Sequence, residues 1–308
     1  MVPDFLMSIA NDLNEVTEAS GDMLARLAIF ADHIPDEWIT AAAALSEKAT
    51  IRRRRLPSDM VLWLVVGMAF FRNEPISEVA RRLNICAEGL AYDALSQARQ
   101  RLGKQLLEWL FKQCADVWGR ERYPEDQWHG LQVFAIDGAL FRTQDMPELR
   151  AHFGSSNTST NRQTPYPMLR LVTLMNVRSH VIANRAISPY RKGEIPLASE
   201  FIQSLPDHSV TLLDKGFFGA DLLLSIQAED THRHWFIQER KGLVYTELER
   251  YGDGDRLLKM KVSPQARKKN PTLPTHWQVR AVTYEVAGKE KTVFTSLPVA
   301  RCSTMPSR

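Results

Sequence analysis

The chain has 308 residues, 44% of them hydrophobic and 24% charged, which is enough apolar material for a real core and too long for a single small module. Three cysteines (Cys86, Cys114 and Cys302), without a C-x-x-C pair or zinc-type His/Cys spacing, exclude a disulfide framework or structural zinc module and fit a reducing cytoplasm. The formal net charge of +3 is unevenly spread: −7 over residues 1–50, +3 over 51–130 and +7 over 131–308, which leaves the basic balance where a polyanion could dock.

From Asp12 to Trp118 the pattern is helical, with Met23, Leu24, Leu27, Ala28, Phe30 and Ala31 recurring at helical spacing and Ala41–Leu45 a strong helix former. The longest apolar run, Met60–Phe71, falls short of the roughly 20 residues that span a bilayer and reads as a buried helix with Ser58 or Asp59 as its N-cap. Ile76–Ile85 followed by a helix near Glu88–Leu102 fits two readings. One is a helix-turn-helix with Ala80 at the crossing, Ile85 in the turn and Arg81 and Arg82 toward DNA; the other is an ordinary helical hairpin, because Asp93 falls where an apolar residue is wanted. The basic runs Arg52–Arg55 and Lys259, Lys261, Arg267, Lys268 and Lys269 are likewise either solvated faces or phosphate contacts.

After Tyr123-Pro124 the pattern turns to strands: Leu131–Asp137, Met168–Val177, Val181–Ser188, Val210–Asp214 and His234–Gln238. The first three form an antiparallel meander, with Arg178-Ser179-His180 as the hairpin turn. Gly193–Leu205 and Ala220–Ala228 read as helices, and Lys215-Gly216-Phe217-Phe218 as a flexible loop. Leu257–Val262, Trp277–Val286 and Thr292–Thr295 form a small β-rich unit. The resulting divisions are 1–125 helical, 126–240 mixed sheet, 241–298 β-rich and 299–308 a tail without apolar periodicity.

Two strands end at carboxylates, Asp137 and Asp214, 77 residues apart. If they are sheet neighbours they can share Mg²⁺ or Mn²⁺, hard cations that take oxygen ligands and serve phosphoryl transfer; otherwise they are ordinary loop aspartates. Lys215, Arg191 and Lys192 flank this end and are phosphate candidates. His232 and His234 lack a third ligand, and Trp235 and Trp277 read as core.

Ile136-Asp137-Gly138-Ala139-Leu140-Phe141, Gly154–Ser159, Gln163–Arg170, Leu213-Asp214-Lys215-Gly216-Phe217-Phe218 and Pro264–Lys269 together closely resemble DDE-type transposases of the insertion-sequence-four family. The resemblance implies an RNase H-like sheet, a helical N-terminal DNA-binding region, and a β-rich insertion from about residue 240 that precedes a later catalytic helix. It further implies that Asp137 and Asp214 are the first two acids of a catalytic triad holding Mg²⁺ or Mn²⁺. The expected partners are double-stranded DNA, at inverted-repeat ends and at the target, and a second copy of the chain is a candidate; no membrane is expected, and the location is cytoplasmic, on the nucleoid.

The family's third acid lies in a Tyr-x2-Arg-x3-Glu-x6-Lys signature, and none of the seven tyrosines has Arg three residues later. The tail after Pro298 also departs from the family and looks like translation out of frame. The expectation is a C-terminally truncated transposase lacking the final catalytic helix, with catalysis near zero and apolar surface left exposed. Ala139, where relatives often carry Thr, is a smaller departure. Two other readings stand beside it: a DNA-binding remnant that inhibits an intact transposase, and an unrelated two-aspartate metal hydrolase, which the absence of a nucleophile or Gly-rich phosphate loop disfavours.

Overall fold

The apolar run of residues 60–71 organises the helical part of the chain. In the computed structural model, which describes residues 23–45, 56–85, 92–155, 166–227 and 231–299, this run lies in α3 (Ser58–Phe70). Before it come α1 (Met23–Asp32) and α2 (Asp36–Ala44), and after it α4 (Ile76–Arg82) and α5 (Tyr92–Leu102), all within the first of two compact units, residues 1–114. A helix apolar all round must be covered on several sides, and α3 touches α1, α2, α4 and α5. Where α3 meets α4 the approach is close: a Cβ on Gly67 would lie 2.6 Å from Leu83 Cδ1 and 3.2 Å from Val79 Cγ1.

The expected cap is displaced. Pro57 holds the N-cap position, Ser58 is already helical, and no side chain caps the helix, because proline has no side-chain oxygen to accept the free N–H groups of the first turn. Ala80 and Ile85 are buried and Asp93 is exposed. Residues 86–91, which join α4 to α5, lie outside the described residues, as do Arg52–Arg55, residues 156–165 and the tail 300–308.

Helix α6 (Gln105–Val117) leads into the second unit, residues 115–308. There β1 (Gln132–Arg142), β2 (Met168–Asn176), β3 (Ile182–Pro189), β4 (Ser209–Leu213), β5 (Arg233–Gln238), β6 (Tyr245–Gly252), β7 (Asp255–Lys261), β8 (His276–Val286) and β9 (Lys289–Thr295) make one sheet. The order is β3-β2-β1-β4-β5-β9-β8-β7-β6. The antiparallel meander β1–β3, extended by β4 and β5 parallel to β1, is the RNase H-like arrangement. The β-rich strands do not stand apart: β9 pairs antiparallel with β5 and carries the sheet onward to β6.

Several elements differ from expectation. Strand β1 does not end at Asp137 but runs five residues further, because its ladder with β2 continues to Arg142↔Met168. Strand β6 was not expected, and Gly193–Leu205 divides into α8 (Glu194–Ser199) and a 3₁₀ turn at Ile202–Ser204. Lys215–Phe217 is not a flexible loop but a 3₁₀ turn, pinned by Phe217, which is 1% exposed. Two further short helices, α7 (Pro147–Phe153) and α9 (Ala220–Ile226), precede β2 and β5, and α10 (Pro264–Lys269) lies between β7 and β8.

Side chains alternate between the sheet's two faces. On one face Phe134, Ile136, Leu213, Trp235 and Ile237 join a continuous core with Leu197, Leu222 and Leu223 of α8 and α9, which reaches Val279 and Phe294 of the later strands. On the other face a small cluster of Leu131, Val210 and Leu297, flanked by Trp128, Val133 and Phe236, covers the amino ends of β1, β4 and β5. Leu212, further along, stays 38% exposed.

The β6–β7 turn depends on Gly254, with φ +77° and a hypothetical Cβ 2.6 Å from the Thr283 carbonyl oxygen. Gly254→Ala is expected to destabilise the unit by about 1–3 kcal/mol, since strained backbone and a collision with another main chain coincide. At roughly 2–4 °C per kcal/mol the loss is readable in a thermal melt. A melt unchanged within 1 °C of the unaltered chain, on the order of the scatter between scans, contradicts it.

Candidate active site

The parallel ladder of β1 and β4 runs from Gln132↔Ser209 to Ile136↔Leu213, every pair separated by 77 positions. Asp137 and Asp214 each follow the last pair by one residue, where β1 and β4 part. Alternation turns both carboxylates to the face away from the main core, just past exposed Leu212, and both residues are exposed.

Each carboxylate is oriented by its own backbone. Asp137 Oδ1 accepts the Gly138 N–H at 2.8 Å, and Asp214 Oδ1 accepts the Gly216 N–H, capping the 3₁₀ turn. The turn forms because Phe217 plugs the core and draws the Lys215-Gly216 backbone back over the strand end. No salt bridge to either aspartate occurs among the described residues, and no cluster of three acid, His or Cys side chains suited to a metal occurs among them.

Register extends the row on both sides. Asp137 opposes Thr173, which opposes Arg185 of β3, and the β4/β5 ladder, ending at Leu213↔Ile237, brings Gln238 beside Asp214. Lys215, Gly216, Gln238, Glu239, Arg240 and Lys241 line a cavity of about 600 Å³ at this end of β4 and β5. Arg240 and Lys241, which line this cavity, were not singled out from the sequence, where they only follow the His234–Gln238 strand.

Of the basic residues singled out from sequence, Lys215 alone lines this cavity. Arg81 makes a two-point pair with Glu78, which holds the Glu78 carboxyl below its ordinary range, chiefly through the Arg81 hydrogen bond. Arg82 pairs with Glu74 at 2.6 Å. Lys192 pairs with Glu200, and the neighbouring Arg191 passes above Gly154, its Nε 4.0 Å from a hypothetical Cβ there. Lys268 and Lys269 are exposed in the basic last turn of α10, which Asn270 ties to α9 through a 2.7 Å hydrogen bond to Asp221. His232 stacks on His208 at 4.9 Å and His234 meets Ser296 Oγ at 3.4 Å, while Trp235 and Trp277 are buried 5.8 Å apart.

A further pair, not read from sequence, lies beneath the site. Glu194, in the first turn of α8, is salt-bridged to Arg170 of β2 and packs against Gly138. The legible signal was Gly138 itself, since a glycine inside a strand often marks a close approach.

The chain matches two family models: the insertion element 4 transposase N-terminal region over residues 24–112 and the transposase DDE domain over residues 128–303. It is 48% identical over 249 residues to the putative transposase InsZ of Escherichia coli (strain K12), which covers 79% of this chain and 82% of that protein. It is 38% identical over 275 residues to the transposase InsG for insertion sequence element IS4 of the same organism, across 88% of this chain and 62% of InsG. Among solved structures it resembles the piggyBac transposase synaptic complex with hairpin DNA, with a TM-score of 0.41, 10% identity, and coverage of 88% of this chain and 58% of that one. No described helix is long and apolar enough to cross a membrane. With both the helical region and the sheet matched, the chain belongs to the IS4 family of DDE transposases.

Proposed function

We propose that the chain binds double-stranded DNA at element ends and that Asp137 and Asp214 hold Mg²⁺ or Mn²⁺ for phosphodiester hydrolysis and transfer of the 3′-hydroxyl into target DNA. The observation that carries this is the register: two hard oxygen donors, each one residue past the last β1/β4 pair, brought to the point where these parallel strands part, on an exposed face. The donor chemistry fits, because Mg²⁺ is commonly held by one or two carboxylates with water and substrate phosphate completing its shell. When bound, such an ion supplies Lewis acidity and an activated oxygen nucleophile.

The chain's own residues do the rest. The Gly138 and Gly216 N–H groups each hold one carboxylate oxygen, so both side chains are fixed before an ion arrives. Lys215, Arg240 and Lys241 offer the cavity beside Asp214 a positive lining for the DNA backbone. Arg81, Arg82, Arg191, Lys192, Lys268 and Lys269 are further DNA contacts in this reading, with Arg81, Arg82 and Lys192 exchanging a carboxylate partner for a phosphate. A second copy of the chain would join in pairing two ends. The helical part to residue 125 serves DNA binding, 126–240 the chemistry and 241–298 the insertion.

The third acid separates full activity from a weaker reading. A site that held the ion with these two carboxylates alone would give DNA binding with cleavage near background, since a missing ligand forfeits transition-state stabilisation of several kcal/mol on the order expected for metal and electrostatic catalysis.

The test is Mg²⁺-dependent cleavage of labelled DNA carrying the element's ends, by this chain and by Asp137→Ala, with band shifts on the same samples. Band shifts that weaken with salt are expected from both proteins. Cleavage that Asp137→Ala abolishes assigns the reaction to this site, completed by an acid from beyond the described residues. Binding without cleavage assigns the remnant role, and no band shift at low salt overturns the DNA reading. Arg240→Ala is expected to flatten the log–log salt dependence by about one phosphate's worth, a slope change of roughly 1.

A further inference from the structure

We infer that Glu194 and Arg170 are positioning residues for the Asp137–Asp214 pair, setting the place of Asp137 by bracing the backbone at Gly138 from the opposite face of the sheet. This rests on the proposed metal-binding role of the two aspartates. Beyond Ile136↔Leu213, β1 leaves β4 and keeps only its ladder with β2. The peptide that carries Asp137 and donates to its Oδ1 therefore sits where strand pairing secures it on one side alone.

Glu194 supports this peptide from the face of the sheet. A Cβ on Gly138 would lie 2.7 Å from both Cδ and Oε1 of Glu194, so the carboxylate occupies the place of the missing side chain. The same Oε1 accepts a hydrogen bond from Arg170, whose guanidinium carbon lies 5.8 Å from the Tyr190 ring centroid. Arg170 lies directly across from Leu140, two residues beyond Gly138. The pair is mostly withdrawn from water, with side chains 16% and 33% exposed, and Arg170 Nε is buried without a hydrogen-bond partner. Apolar side chains would fill this space at lower cost in desolvation. What the ion pair adds is a fixed direction: it ties the start of α8 to β2 and presses one oxygen against β1. Outer groups that orient metal ligands typically change affinity by about 10–100-fold when altered.

The experiment measures Mn²⁺ affinity of the full chain by electron paramagnetic resonance, with no DNA, beside thermal melts. Glu194→Gln, which keeps the shape and weakens the tie to Arg170, is expected to bind Mn²⁺ about tenfold more weakly while Tm moves by no more than about 2–4 °C. Gly138→Ala is expected to lose at least as much affinity on its own and to cost nothing further in a Glu194→Ala background, since the collision is then gone. Affinity unchanged in Glu194→Gln and Gly138→Ala, with binding by the unaltered chain abolished in Asp137→Ala, overturns the inference and leaves the metal site standing. Additive losses in the double variant, or a loss of affinity matched by a collapse in Tm, reduce the pair to a structural role and also overturn it. Absence of Mn²⁺ binding by the unaltered chain, or binding that survives Asp137→Ala, removes the metal reading itself.

Discussion

Asn at Asp214 is expected to abolish detectable Mn²⁺ binding while leaving the fold intact. The substitution keeps an oxygen to accept the Gly216 N–H, so the 3₁₀ turn and the seat of Phe217 survive, but it removes the charge that a hard divalent ion requires. Outer groups alone change metal affinity by about 10–100-fold, so loss of a direct ligand belongs at or beyond the top of that range, about a hundredfold. Asp214→Ala removes the cap as well and should cost a further 0.5–2 kcal/mol or so of stability. The two variants thus separate ligand from cap: equal loss of Mn²⁺ binding, unequal melts. Mn²⁺ binding by Asp214→Asn at the affinity of the unaltered chain would falsify the assignment.

The largest effect on stability is expected at Trp235. It lies on β5 between β4 and β9, 0% exposed, with Trp277 5.8 Å away across the core. Trp235→Ala empties this position and should destabilise the second unit by about 3–5 kcal/mol, a Tm loss of roughly 6–20 °C. Trp235→Phe should cost less than the alanine change, because the indole Nε1 is buried without a hydrogen-bond partner and phenylalanine removes that orphan donor along with some volume. Urea denaturation of the three proteins side by side checks the order. A phenylalanine variant no more stable than the alanine variant contradicts this order.

The strands around the site were legible because their apolar residues alternate and turns separate them. Val133, Phe134, Ala135, Ile136 leading to Asp137, and Val210, Thr211, Leu212, Leu213 leading to Asp214, are apolar runs that end on a charge, and both became sheet neighbours. Tyr245–Gly252 was not legible because β6 is an edge strand, almost wholly exposed, and nothing in Thr-Glu-Leu-Glu-Arg demands a buried face. Lys215-Gly216 has the composition of a loose loop; what makes it a turn is the burial of Phe217, a tertiary fact. Cap placement failed because serine and aspartate cap well in isolation, while here Ser58 is already the first helical residue and the N-cap is Pro57. The Arg170–Glu194 pair joins residues 24 apart on different elements, and no local pattern announces such a partnership. The basic residues were legible as charges, but not that three of them already hold carboxylates.

The register of β1 against β4 makes the site indifferent to much of the chain between its two aspartates. A stretch added or removed in the connection at residues 143–167 leaves the ladder, and so the separation of the carboxylates, as it is, whereas 190–208 carries Glu194 and the buried Leu197, Phe201 and Leu205. A single residue inserted into β1 ahead of Asp137 does the reverse, turning the carboxylate toward the core and Ile136 toward solvent. Length polymorphism is therefore expected in the 143–167 connection and forbidden within a few residues upstream of each aspartate. In an unfamiliar chain, the two short apolar runs are a surer mark of this site than the number of residues between them.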